Sequence, residues 1–581
     1  SGEPEARVKF PSIRVGEVER GPFAFYAIGG SPGLVALWAT TPWWASAVVV
    51  TVLLVTVTVR VNGRTAVRWL LDWTEYRFGR SRRARARTEM TEARDIEVAA
   101  GTCGIRESGN TLIAMIQLAP NLDLPTVIAD RTIYTEDTVA VDALVPMLDQ
   151  YGIAIDIDIV TTGQRIRPTG SYSMLYDQLI GTHAVVGNRM TWLVVRLDQE
   201  RNLAALSKRG PCAVVAPKAL ATAAHRIAGR LRERGISAHA LPAAALRDAT
   251  RTLHAGVELT DLRESWRRLE SPAPGRYVTS FLIDWTRLDG AGLDDCWAWN
   301  SGRTTLVVSL GKGVEPRALV RFVGPAVTDS LPDYLRLVPG RQSTALMATL
   351  PGATSVRELP SDETGADILP EDLLNSLTIA IGPNGQILGA ISGQPRHTLA
   401  LALFDPARYN PRRRTIDVHA ELSVAQQIVL RATVVGADVE IHTARPQRWR
   451  QLVAAVGDAR SLRLADPDGA TANGNGDSGA DTAAATIAVF DQMPLRASSA
   501  PTTVTIADPG GPRRRTADLA IDQVSATAVE VSIPMRTVRV ELIEPRGETR
   551  YFDPVEQPNT GTSSVPVPVT IPPQPGGRRV S

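Results

Sequence analysis

Between Arg20 and Arg60 the chain carries no charged side chain. A run of that length constrains the fold more than any other feature. Its second half, Trp43 to Val59, is almost wholly apolar or Thr. About 17 to 25 helical residues cross a hydrocarbon core, and ordinary strands are far shorter. The spacing therefore predicts a transmembrane hairpin over 21–61, with Thr40-Thr41-Pro42 as its turn. Trp38, Trp43 and Trp44 would sit at the membrane interface, where indole rings collect. Residues 1–20 read as a short cytoplasmic tail, and no small-residue cleavage site follows the apolar run.

A basic segment, 62–92, comes next. Across residues 60–87, Arg60, Arg64, Arg68, Arg77, Arg80, Arg82, Arg83, Arg85 and Arg87 are accompanied only by the acids Asp72 and Glu75. Positive flanks stay cytoplasmic, so the large C-terminal part is expected on that side of the plasma membrane. Ala66, Trp69, Leu70, Trp73 and Tyr76 recur at helical spacing and predict a membrane-proximal amphipathic helix, with Trp69 and Trp73 as interface residues. The formal net charge of +2 excludes a chain that is basic throughout, and the position of the arginines favours lipid headgroups over nucleic acid.

Residues 93–464 read as an α/β domain, with a possible subdivision near 260–275. Strands are expected at 103–107, 111–118, 126–134, 153–160, 191–197, 277–285, 304–310, 398–404, 416–420 and 439–443. Helices are expected at 139–151, 172–180, 219–234 and 424–433. Residues 377–381 and 386–391 read as a hairpin turned by Gly382-Pro383-Asn384-Gly385. Residues 465–485 form a Gly/Asn/Asp/Ala linker, 486–552 a small β-rich extension, and 553–581 a Pro-rich disordered tail.

Little chemistry stands out. No P-loop pattern occurs, so an ATPase is not expected. Gly476-Asp477-Ser478-Gly479 matches a protease tetrapeptide but falls in the linker. The seven histidines show no metal-ligand spacing, and three widely spaced cysteines make no disulfide framework. Asp156 and Asp158 are the one suggestive pair. Strand alternation puts both carboxylates on one face, and Asp-x-Asp is a way to hold a divalent metal beside a nucleotide sugar. The bland reading of this pair is a solvated strand face. The alternative is a membrane-anchored glycosyltransferase.

The order of features resembles a known family. The residues are Thr40-Thr41-Pro42-Trp43-Trp44-Ala45, Cys103 to Glu107, Asn110 to Ile116, and Leu144 to Ile153. Thr191 to Asp198, Tyr277 to Trp285 and Leu293 to Trp299 complete the set. Together they are similar to EccE, a membrane component of type VII (ESX) secretion systems of mycobacteria and actinobacteria. The resemblance covers roughly residues 20–310. It implies a glycosyltransferase-like cytosolic fold without established activity and without a cofactor. It also implies a non-enzymatic subunit of an inner-membrane complex with EccB, the ATPase EccC and EccD. The fold class expected from sequence is thus a membrane-anchored α/β protein. It has an N-terminal two-helix hairpin, a mixed-sheet α/β cytosolic domain and a small β-rich C-terminal extension.

Overall fold

The computed structural model describes residues 13–15, 44, 51, 59–61, 64–79, 83–84, 87, 91–129, 132–168, 170–288, 292–327, 331–361, 365–465 and 484–552. Two large sheets organise these residues, each with twelve strands among those described.

The first sheet is antiparallel throughout. Ten of its strands run in the spatial order Arg263–Glu264, Leu269–Glu270, Tyr277–Ile283, Val314–Gly324, Arg303–Gly311, Asp156–Gln164, Asn188–Asp198, Thr111–Leu118, Gly101–Ser108 and Ala93–Val98, while Ala238–Ala240 pairs with Thr111–Leu118 and Leu335–Leu337 with Tyr277–Ile283. Both faces are covered. Ile105, Ile116, Ile157, Leu193 and Val195 pack with the helix Cys212–Glu233. Ile113, Met115, Val194 and Val307 pack on the other side with Ala243–His254 and Gln342–Ala348. Burial on both faces is why Thr111–Leu118 and Asn188–Asp198 read as nearly continuous apolar runs rather than alternating ones.

The second sheet is mixed. Leu462–Leu464, Val439–Thr443, Ile487–Asp491, Thr502–Ala507, Arg414–His419 and Leu519–Ser525 are parallel neighbours. Ala528–Ile533, Arg536–Leu542, Gln386–Ile391, Gln394–Leu401, Thr126–Ile128 and Ile133–Tyr134 continue it antiparallel. The helix Leu422–Val434 supplies the crossover that parallel strands require and is buried along most of its length.

This architecture corrects the expected fold class. Among the described residues no helix is long and apolar enough to cross a membrane. Most of the expected hairpin (residues 21–43, 45–50 and 52–58, with Trp38 and Trp43) lies outside the described residues. Where its end is described, Val59–Val61 is a strand, paired with Ile13–Val15 and Arg64–Thr65. Alternating β-branched residues suit that pairing better than a helix. The C-terminal strands are not a separate extension either. They fill the middle of the second sheet, because Arg414–His419 needs a parallel neighbour on each side. The linker core, 466–483, and the tail from 553 lie outside the described residues.

Two local expectations also change. Residues 139–151 form a 3-10 helix, Asp142–Leu148, between the short strands Thr138–Ala140 and Asp149–Gln150, rather than an α-helix. Pro146 removes a backbone donor there. Thr378–Ala380 does not form a hairpin with Gln386–Ile391; it pairs with Thr138–Ala140, while Gln386–Ile391 pairs with Gln394–Leu401. Between them the buried Asn384 side chain accepts from the Val186 amide at 2.8 Å, and the Asn384 amide donates to the Val186 carbonyl. Gly385 lies at φ +80°, with no room for a Cβ against the Leu401 backbone. The glycine-rich segment is a clasp between the two sheets.

Candidate functional site

The helix Ala66–Phe78 sits on the first sheet's edge. Residues three and seven apart share a face, so Trp69, Asp72 and Tyr76 turn inward together. Trp266 receives the two aromatic rings, Trp69 tilted at 5.9 Å and Tyr76 edge-on at 5.1 Å. Between them Asp72, only 2% exposed, accepts two hydrogen bonds from Arg341 at 3.1 and 3.3 Å. Glu75 takes the other side of the same guanidinium at 3.2 Å.

The segment after the helix returns to the same place. Arg83 donates to the Glu264 carboxylate at 2.8 Å. It also donates to the Glu75 and Tyr76 carbonyls at 2.9 and 2.7 Å. Those carbonyls lie in the helix's last turn, where acceptors are left over and a cation is favourable. Arg87 is buried and donates to the Leu262 carbonyl and Ser343 hydroxyl at 3.1 and 3.3 Å. Burial lowers its guanidinium pKa, nearby Glu264 opposes that shift, and Arg83 adds to it. Glu264 also accepts from the Ser343 amide.

Among the described residues, the other helix face has no such cover. Leu70, Trp73 and Phe78 are exposed, and Arg77 is exposed beside them. The helix is therefore apolar on two sides: one holds it to the body, the other is presented outward. Of the residues marked by sequence, Trp69, Arg83 and Arg87 contribute to docking, while Trp73 and Arg77 point away. Trp44 is exposed, Arg60 and Arg64 lie in the small sheet, and Arg68 lies within the helix. Trp38, Trp43, Arg80, Arg82 and Arg85 lie outside the described residues. Sequence reasoning missed Trp266, Glu264 and Arg341. The only local signal was an aromatic and an acid set among Arg263, Arg267 and Arg268.

The Asp-x-Asp pair does share one face, but that face is only part-exposed at Asp156 and closed at Asp158. Asp158 is fully buried, pairs with Arg196 and accepts from Ser309 at 2.6 Å. Asp156 is held between Arg201 at 3.2 Å and Arg357 at 2.6 Å. Three guanidiniums compete for the oxygens a metal would need. Among the described residues no group of three or more His, Cys, Asp or Glu is placed to hold a metal ion.

Residues 185–283 match the family model described as "Putative type VII ESX secretion system translocon, EccE". The chain is EccE-like. It is 27% identical over 316 residues to the ESX-1 secretion system protein EccE1 of Mycobacterium tuberculosis, covering 54% of this chain and 64% of that protein. This match spans less than two thirds of that relative's length. The ESX-2 secretion system protein EccE2 of the same species is 24% identical over 468 residues, covering 77% of this chain and 82% of that protein. The ESX-5 secretion system protein EccE5 of Mycobacterium marinum is 29% identical over 337 residues, covering 53% and 79%. The resemblance read from the order of sequence features therefore stands. Leu262, Glu264 and Trp266, which receive the helix, fall inside the EccE-matched segment.

Proposed function

We propose that this chain is a non-catalytic component of a type VII (ESX) secretion complex, bracing the subunits that export proteins across the cell envelope. The observation that carries the reading is the similarity to EccE2 along 77% of the chain, well beyond the family-matched segment. A structural role is supported by the Asp156 and Asp158 network, whose oxygens are committed to arginines. The partners are EccB, the ATPase EccC and EccD. The site of action is the plasma membrane, with the α/β body on the cytoplasmic face. The outward Leu70, Trp73 and Phe78, with Arg77 among them, suit the boundary between lipid headgroups and acyl chains. Purification of the tagged full chain from membranes in mild detergent tests the proposal. Co-purification of EccB, EccC and EccD is expected. Recovery of the chain alone counts against it.

A further inference from the structure

A second surface, remote in sequence from the helix joint, combines strain, an exposed aromatic residue and a groove lined by cations. The strands Asp149–Gln150 and Ile153–Ala154 are joined by Tyr151-Gly152, both at positive φ, +56° and +79°. Such two-residue turns normally take Asn or Gly at the first position, so a tyrosine here is held against its backbone preference. The residue is 73% exposed. Residues held in sparsely populated backbone regions cluster at ligand clamps, active sites and switches.

The surroundings fix the ring in place. The Arg226 guanidinium lies 4.3 Å from its centroid and donates to the Gln150 side chain at 3.0 Å. Arg209 donates to the Tyr151 carbonyl at 2.6 Å. Behind the ring a groove of about 660 Å³ runs along the helix Cys212–Glu233, floored by Val214 and Val215 and flanked by Arg209, Lys218 and Arg226. Among the described residues its lining carries three cations and no carboxylate. Val214 is exposed as well.

Lysine usage points to the same place. The chain has four lysines, and two of them, Lys218 and Lys312, contact the hairpin or its groove. Lys208 adjoins Arg209, Lys218 lines the groove, and Lys312 pairs with Asp149 at the hairpin's base. A lysine keeps a compact, strongly hydrated charge on a flexible stem, which suits a polar rim. Arginine and tyrosine suit the centre of an interface.

We propose that the groove beside Tyr151 is a docking site for an acidic segment of a partner protein. An apolar side chain of that segment packs on the Tyr151 ring and Val214, and its carboxylates pair with Arg209, Lys218 and Arg226. The proposal holds whichever complex the chain joins, so it goes beyond the secretion reading rather than resting on it.

The experiment uses the full chain and a fluorescent helical peptide of alternating Glu and Leu turns, with a Lys-for-Glu peptide as control. The acidic peptide binds, and its Kd rises severalfold between about 50 and about 300 mM salt. Lys218→Glu raises the Kd about tenfold. Tyr151→Gly, which suits a positive φ and keeps the turn, raises it severalfold with no loss of melting temperature. Equal binding of the acidic and basic peptides overturns the proposal, as does parental affinity in both variants. Binding of heparin or phosphatidylglycerol vesicles, lost in Lys218→Glu while the acidic peptide fails to bind, also overturns it.

Discussion

Replacing Arg341 by Ala should free the helix Ala66–Phe78 from the body without unfolding the sheets. The size of the effect follows from burial. The Asp72 side chain is 2% exposed and the Arg341 side chain 19%. Removing one partner of a fully buried ion pair costs about 3–5 kcal/mol, whereas an exposed pair is worth about 0–1 kcal/mol. A pair with one buried and one part-buried member falls between, at about 2–3 kcal/mol. Glu75, which is mostly exposed, adds little. Every 1.4 kcal/mol is tenfold in an equilibrium constant, so local opening of the helix should rise about 30- to 140-fold. Hydrogen exchange across 66–78 reads this directly as lost protection, while strands such as Thr111–Leu118 keep theirs. Asp72→Asn in the same background should add little, because the two residues act as one pair. Unchanged protection in Arg341→Ala, or fully additive effects of the two substitutions, would refute the claim that this ion pair holds the helix.

Asp158→Ala strands the buried Arg196 and should lower stability by about 3–5 kcal/mol in urea denaturation, with no UDP-sugar or GDP-sugar binding by parent or variant. His254 provides a pH test. Burial, with Arg321 and Arg106 close by, depresses its pKa from 6.5 to about 4. The unfolded chain takes up that proton first, so this contribution is full above pH 6.5 and is lost as pH falls toward 4. His254→Asn should flatten the slope of the urea midpoint across that window. Native iodoacetamide should label Cys212 alone, since Cys103 and Cys296 are buried. Burial, with Asp95, pushes the Cys103 thiol up to about 12, and burial with Asp295 raises Cys296. Mass spectrometry before and after urea checks this, with all three thiols labelled once the chain unfolds.

Strand positions were legible wherever both faces are buried, because a run such as Thr111–Leu118 leaves no alternative that hides as much apolar surface. Helices 172–180 and 422–434 were legible from their periodicity. The 139–151 segment misled because spacings of three and four fit a 3-10 turn and an α-helix alike. Val145, which a helix over 139–151 would place on the same face as Val141 and Leu148, is exposed while those two are buried. Charge was read well locally and poorly at a distance. Arg83 and Arg87 look like part of a basic block, yet their partners Glu264, Leu262 and Ser343 lie 181, 175 and 256 residues away. No local pattern carries such pairings. The Asp-x-Asp alternation was correct, but the burial of its face comes from Arg196 and Arg357 on other elements.

The chain order of the second sheet has a consequence for synthesis. Thr126–Tyr134 leaves the ribosome before the rest of this sheet and waits at one edge, whereas Leu519–Leu542 follows every other strand of the sheet and sits between Arg414–His419 and Gln386–Ile391. Until those strands arrive, two interior strands expose unpaired backbone to the cell. A reading frame that stops short of residue 542 therefore yields a sticky half-sheet rather than a shortened protein. Quality control over this chain comes down to whether the segment 519–542 reaches its place between those two strands.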